Sequence, residues 1–209
     1  MKKPRKIPEG EFRNKARTKR KLIEAVGSSL RDGGYEYVGV NRIAGHAGVN
    51  KKLIYRYFDS VENLIDTYFK GIDYYTPAET SKPTKGKTTA PKEKDPASYV
   101  IEQIEHLKNS TELQETVLWE LWEDRCFLHK TAEDRNRLTE TFIASKHLTS
   151  KKEKDELKTL ISLLIAGGYF LTLYAKNDRE NSFLGTDIST DKGFKMVKDV
   201  IKKLLGGQY

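Results

Sequence analysis

Residues 40–64 read VNRIAGHAGVNKKLIYRYFDSVENL, the pattern expected of two short helices that meet at a glycine. The first helix presents Ile43, Ala44 and Ala47 as its apolar face. Gly48 permits the left-handed backbone that a tight turn between helices requires. The stretch therefore predicts a helix-turn-helix, a motif whose second helix reads DNA.

The second predicted helix has two faces of different character. Asn50 is a natural N-cap for it, and Ile54 and Phe58 lie four residues apart on a face that packs. Another face carries side chains that can contact DNA, again spaced three or four residues apart: Lys51, Lys52, Tyr55 and Arg56.

The excess positive charge is concentrated at one end of the chain. The 209 residues contain 38 Lys and Arg against 30 Asp and Glu, a net charge of +8. Residues 1–21 hold ten bases and two acids, so this segment alone accounts for the excess. A basic segment before a helix-turn-helix favours contact with phosphates or the minor groove, although a solubilising tail is the alternative interpretation.

Composition and hydropathy predict a folded cytoplasmic protein. Hydrophobic residues make up 37% of the chain, enough for a core, and no apolar stretch follows the basic N-terminus as in a signal peptide. The long apolar run 160–175 is short for a membrane span and contains two polar residues, which favours a buried helix. With Cys126 as the single cysteine, no intramolecular disulfide is expected.

Periodicity outside the motif is helical throughout, and no stretch alternates as a strand would. Leu22, Val26 and Leu30 repeat every four residues in a helix expected at about 17–30. Residues 76–96 are rich in Pro, Thr, Lys and Ser, which predicts a mobile linker. We therefore predict an all-α fold. Further helices are expected at about 62–75, from 97 onward, and at 113–128, 133–148, 153–175 and 190–205.

Two features of the second half predict how it packs. The helix expected at 113–128 has apolar residues on nearly every side, which predicts that other helices surround it. The last two helices carry more apolar surface than a single domain of this size hides, which predicts a homodimer formed through them.

The chain is similar to the TetR family (TetR/AcrR-like) of transcriptional regulators over residues 17 to about 70. The resemblance rests on the following residues: Ile43-Ala44, Ala47-Gly48-Val49, Ile54-Tyr55, Phe58, Ser60, Glu62 and Leu64. It implies a three-helix DNA-binding head followed by a larger helical ligand-binding and dimerisation body. The expected segments are a basic arm (1–16), a helix-turn-helix domain with a connecting helix (17–75), a flexible linker (76–96) and a ligand-sensing and dimerisation domain (97–209).

The resemblance also implies which residues contact a double-stranded DNA operator. In sequence order these are Arg42, Asn50, Lys51, Lys52, Tyr55, Arg56 and Tyr57. The chain departs from the family where Gly39 replaces a capping Thr, Lys52-Leu53 replaces Gly-Thr, and Val61 replaces a Lys. We therefore expect the phosphate contacts to shift to Lys51, Lys52 and the arm.

The resemblance further implies a homodimeric repressor that a small-molecule effector releases from a near-palindromic operator. Candidate pocket residues are His106, Trp119, Trp122, Cys126, Phe127 and Tyr169, although aromatic residues at helical spacing also fill ordinary cores. The effector itself is unknown from sequence. The alternative is a helical ligand-binding or interaction protein with only nonspecific DNA affinity.

Nothing in the sequence predicts an enzyme, a cofactor or a metal site. Cys126 and His129 are the only close Cys/His pair, whereas a structural metal site needs three or four protein ligands. Phosphate-binding loops and nucleophile motifs are absent from the sequence.

Overall fold

A computed structural model describes residues 9–71, 94–123, 126–176 and 182–206. Within these ranges the only β pairing is an isolated bridge between Phe183 and Thr186, so the predicted all-α fold is confirmed. A short 3-10 helix covers Tyr35–Tyr37. The α-helices are α1 (Glu9–Gly33), α2 (Val40–Ala47), α3 (Lys52–Phe58), α4 (Val61–Gly71), α5 (Pro96–Asn109), α6 (Thr111–Trp122), α7 (Cys126–Ala144), α8 (Lys151–Lys176) and α9 (Asp191–Leu205).

The chain divides into two compact units, and α6 and α7 each contribute to both. The first unit comprises Met1–Tyr74 with Glu115–Asp134, and the second comprises Tyr75–Gln114 with Arg135–Tyr209. Residues 115–134, expected in the C-terminal body, thus group with the N-terminal helices. Spacing along a helix shows which face is apolar, but it does not show which neighbour covers that face.

The core of the first unit forms where α1 packs against α2 and α4. Leu22, Val26 and Leu30 are fully buried, as their spacing predicts. α1 itself begins at Glu9, earlier than the expected residue 17, so residues 9–16 of the predicted arm are helical. The basic segment is therefore continuous with a packed helix from Glu9 onward.

The core of the second unit forms where α5 packs against α8 and α9. Gly168 in α8 lies so close to α5 that a Cβ added there would overlap the side chain of the fully buried Ile104. α7 joins this core through Phe142, whose ring stacks on Tyr99 with centroids 4.1 Å apart. The Tyr99 hydroxyl also hydrogen-bonds the Thr139 hydroxyl over 3.0 Å.

The prediction that one helix runs through 113–128 is wrong in its extent, because two helices cover this range. α6 ends at Trp122, and α7 begins at Cys126, which is earlier than the start expected at 133. Leu121 and Trp122 are 73% and 75% exposed. Residues 113–117 of α6 are all buried, so this part of the expected helix is surrounded as predicted, whereas the C-terminal end of α6 is exposed.

Three helices of the second unit begin at capping side chains. Asp95 accepts the backbone N–H of Ser98 over 2.9 Å, and Pro96 occupies the first turn of α5. At α8, Ser150 accepts the N–H of Glu153 while Glu153 accepts the N–H of Ser150, a capping box. Thr190 caps α9, which begins next to the residue predicted from sequence.

α8 has one buried face and one exposed face. Leu157, Ile161 and Gly168 are buried, whereas Leu163 and Phe170 are 66% and 48% exposed. Among the described helices, α8 alone is long and apolar enough to cross a membrane, a criterion of length and composition only. In its most apolar stretch of 18 residues, 28% is buried. The buried helix expected over 153–175 is thus buried on one side only.

Candidate nucleic-acid interface

The turn between α2 and α3 has the geometry that its sequence predicts. Gly48 adopts φ 63° and ψ 38°, the left-handed conformation. Its N–H donates to the Gly45 carbonyl, and the Val49 N–H donates to the Ala44 carbonyl, each over 3.0 Å. This pair of hydrogen bonds is a Schellman motif, which ends α2 and turns the chain toward α3.

Asn50 caps α3, as predicted. Its Oδ1 accepts the backbone N–H of Lys52 over 2.9 Å, and Lys51 between them already has helical backbone angles. The Lys51 ammonium donates to Oδ1 of Asn41 in α2 over 3.2 Å. The start of α3 is therefore held to α2 by a side-chain contact as well as by the turn.

α3 presents a buried face and a solvent-facing face. Ile54 and Phe58 are buried, as their spacing predicts. Lys51, Lys52, Tyr55 and Arg56 are all exposed, and the Tyr55 side chain is 50% exposed. The structure thus places these four predicted DNA-contacting side chains where a ligand of the first unit can reach them.

Tyr57 and Arg42 each take part in cation–π contacts with neighbouring side chains. Tyr57 is half-buried, with the Lys15 ammonium 5.7 Å and the Arg56 guanidinium 5.8 Å from its ring centroid. Arg42 is exposed at the start of α2, 4.8 Å from the ring centroid of Tyr37. All three contacts have cation–π geometry, which orients the cation and leaves it charged.

The positive surface extends from α3 onto α1. Besides Lys15 at Tyr57, the Lys19 ammonium lies 5.2 Å from the ring centroid of Phe58. These lysines are four residues apart and so lie on one face of α1. Both belong to the basic segment 1–21, and Lys15 lies in the arm expected to bind phosphates, but their contacts with α3 were not predicted from sequence. Their spacing was the available signal, yet only the fold brings them to α3.

The junction between α3 and α4 contains a residue with positive φ and a helix cap. Asp59 ends α3 with φ 68°, an uncommon angle for a residue other than glycine. Ser60 then accepts the N–H of Asn63 over 3.0 Å and so caps α4. Gly39, by contrast, gives α2 no side-chain cap, as expected from the missing Thr.

The predicted pocket residues are divided between the two units. His106 and Tyr169 belong to the second unit, and burial lowers the pKa of the His106 imidazole. Trp119 and Trp122 belong to the first unit, while the side chains of Cys126 and Phe127 lie outside the described part of the structure. As a pocket, the predicted set of six remains a sequence-based prediction.

Trp119 and Trp122 line a cavity of about 380 Å³ within the first unit. Burial, followed by the nearby carboxylates of Glu36, Glu123 and Glu115, raises the pKa of the Tyr35 phenol at this cavity. The acidic residues were not identified from sequence because they are far apart along the chain. The complete lining is Tyr35, Glu36, Val38, Val61, Glu62, Ile65, Trp119, Trp122 and Glu123.

Residues 22–67 match the family model of bacterial regulatory proteins, tetR family. A TetR-like transcriptional regulator from Rhodococcus sp. RHA1 is similar in structure, with a TM-score of 0.56 and 15% identity over 97% of this chain and 100% of that chain. NalD, the secondary repressor of the MexAB-OprM multidrug efflux pump in Pseudomonas aeruginosa, has a TM-score of 0.52 and 16% identity over 94% and 99% of the two chains. A search of curated proteins gave no match.

Proposed function

Because residues 22–67 belong to the TetR family of bacterial regulatory proteins, we propose that this DNA-binding regulator is a homodimeric repressor that a small ligand releases from its operator. The observation that carries the proposal is the exposed face of α3, with four side chains able to reach DNA over a buried Ile54 and Phe58. In a dimer the two α3 helices enter successive major grooves, about 34–36 Å apart, on a near-palindromic site.

The contacts divide into base reading and phosphate binding. Lys52, Tyr55 and Arg56 project from α3 and are the proposed groove-facing side chains. Lys15 and Lys19 on α1, together with Arg42 on α2, are proposed to bind the flanking phosphates, which fix the register but carry no sequence information.

The structure changes the proposed role of Asn50 and Lys51. Asn50 uses its carbonyl oxygen as a cap, and Lys51 donates to Asn41, so both hold α3 in place. The side chains of Asn50 and Lys51 can each still donate a hydrogen bond to a phosphate oxygen. We assign them to positioning and phosphate contact rather than to base discrimination.

The proposed dimer interface is the exposed apolar surface of the last two helices. Met196, Val200 and Leu204 recur every four residues along α9 and are 55%, 55% and 46% exposed. Leu163 and Phe170 form the exposed face of α8. A second copy that covers both faces would remove this surface from water, which favours association. We place this dimer in the cytoplasm as part of the proposal.

A repressor role is supported by NalD, which is itself described as a repressor. Release by a small molecule remains the family-based part of the proposal. Effector binding and DNA binding are thermodynamically linked, because an effector that lowers DNA affinity must itself bind more weakly to the DNA-bound protein.

The decisive experiment is selection of bound duplexes from a random DNA pool at near-physiological salt. Nonspecific phosphate binding weakens as salt rises, so enrichment of one inverted repeat supports a dimeric, sequence-specific regulator. No enrichment by a folded dimer would overturn the proposal and favour an interaction protein with nonspecific DNA affinity.

Substitutions then test the assignment of α3. Lys52→Ala and Tyr55→Ala should abolish binding to the selected duplex while leaving the far-UV circular dichroism unchanged. Lys152→Ala removes the same charge from an exposed site in α8 and is the matched control. Wild-type affinity in both α3 variants would contradict the assignment.

A further inference from the structure

The cavity of the first unit combines aromatic rings with carboxylates. The rings of Tyr35 and Trp119 stack with centroids 6.0 Å apart, and the carboxylates of Glu36, Glu62 and Glu123 line the same cavity. None of its nine lining residues is basic, although the chain as a whole carries a net charge of +8. The cavity is therefore an acidic aromatic site in a basic protein.

The carboxylates and the aromatic rings line the same cavity. Burial first, and then the nearby carboxylates of Glu36 and Glu123, raise the pKa of the Tyr35 phenol, so the phenol lies close to negative charge. The face of an aromatic ring is itself the negative end of a quadrupole. Rings and carboxylates therefore favour the same kind of occupant, one that carries positive charge.

We propose that this cavity binds an organic cation, a quaternary ammonium or a protonated amine that bears an apolar group. The cation would lie against Trp119 or Trp122, the carboxylates would balance its charge, and the aliphatic lining would receive its apolar part. A volume of about 380 Å³ suits a small ligand of this kind. The inference deepens the proposed ligand response by naming a ligand class.

The cavity also adjoins the DNA-reading helices. Val38 of its lining precedes Gly39, from which α2 starts, and Val61 and Glu62 form the first turn of α4, just after α3. A bound cation therefore contacts segments on both sides of the helix-turn-helix. Occupancy and DNA affinity should be coupled, with each changing the other by the same factor. This consequence rests on the proposed function, whereas cation binding does not.

Tryptophan fluorescence tests the site without DNA, because the only two tryptophans of the chain both line the cavity. The full chain would be titrated with benzyltrimethylammonium and with neopentylbenzene, its uncharged carbon isostere. We expect a saturable change with the cation and about tenfold weaker binding of the isostere. No saturable change at millimolar cation, or equal affinity for both probes, would overturn the proposal.

Substitutions locate the binding. The double variant Glu62→Gln/Glu123→Gln should weaken cation binding by about tenfold, and Glu36→Gln, at an exposed position, by about threefold. Glu24→Gln, an exposed glutamate of α1 outside the lining, is the matched control and should bind as the wild type does. Unchanged affinity in Glu36→Gln and in a folded double variant would contradict the site.

A final measurement separates this inference from the proposed function. Affinity for the selected duplex would be measured with and without saturating benzyltrimethylammonium. A change of severalfold or more supports the coupling, and no change overturns the coupling while leaving the binding site intact. If no duplex is ever selected, the proposed function fails, but the fluorescence titration still decides whether the cation binds.

Discussion

Gly48 shows what a single residue contributes to the DNA-reading head. Its left-handed backbone lets two carbonyls of α2 be satisfied and sets the direction in which α3 leaves the turn. No atom lies within 4 Å of a Cβ added there, so only backbone conformation disfavours another residue. The need for glycine was predictable from sequence because the turn is local.

Two glycine substitutions should have opposite effects on stability. Gly48→Ala should lower the free energy of unfolding by about 1–2 kcal/mol, since alanine is strained in the left-handed region. Gly45→Ala, in the middle of α2 with open space around it, should raise that free energy by up to about 1 kcal/mol. Urea unfolding followed by circular dichroism compares them. If Gly48→Ala and Gly45→Ala destabilised the protein equally, steric space rather than the backbone angle would explain why glycine is needed at position 48.

At the scale of helices, the contact between α5 and α8 depends on a residue with no side chain. Gly168 allows the close approach, and the fully buried Ile104 fills the space that a larger residue would need. Apolar periodicity predicted that both helices exist. It did not predict that this glycine lies at the point of closest contact.

A double-mutant cycle tests this contact. Gly168→Ala should cost about 1–3 kcal/mol through overpacking, and Ile104→Val about 0.5–1.5 kcal/mol through lost burial. Ile104→Val removes the atom nearest the added methyl group, so the double variant should lose less than the sum of the single variants. Strict additivity in thermal or urea unfolding would argue against direct contact.

The N-terminus of α5 predicts a pH dependence. Hydrogen bonds from Ser98, the side-chain bond first, lower the pKa of the Asp95 carboxyl. Its stabilising contribution is therefore present above the unfolded pKa of about 3.9 and is lost as pH falls through the lower folded value. Asp95→Ala should cost about 1 kcal/mol at pH 7, and its difference from wild type should shrink below about pH 4.

The control for this helix is Asp95→Asn, which keeps an oxygen that can accept the Ser98 N–H but does not titrate. The stability difference between Asp95→Asn and Asp95→Ala should stay constant from pH 7 to below pH 4. Parallel acid unfolding curves for wild type and Asp95→Ala would contradict the role assigned to the carboxylate.

At the scale of the whole molecule, DNA binding and association should depend on each other. Two half-sites can be read together only if two heads are joined, and the exposed stripe of α9 is the proposed means of joining them. Among the described residues, the α9 stripe and Leu163 of α8 remain largely exposed, and Phe170 is 48% exposed although its ring contacts Phe183. The dimer is therefore inferred from surface left over after folding.

Val200→Glu places a charge in the middle of this stripe and should convert the proposed dimer into a folded monomer. Affinity for the selected duplex should fall by at least about tenfold, because one half-site contact is lost. Lys195→Gln changes the net charge by the same amount from another exposed position on α9. Sedimentation equilibrium measures the molar mass of each variant. If the Val200→Glu variant is still a dimer, this stripe is not the interface.

The sequence by itself determined the features that depend on neighbours within one or two helical turns. The turn at Gly48, the Asn50 cap, the buried face of α3 and the all-α character all follow from local backbone and spacing rules. The tertiary structure alone decided features whose parts are distant in the chain. The end of α6 at Trp122 and the contact between Lys15 and Tyr57 are two such features. The tertiary structure also gathered three glutamates around two tryptophans. Periodicity specifies which face of a helix is apolar, but only packing selects what that face meets.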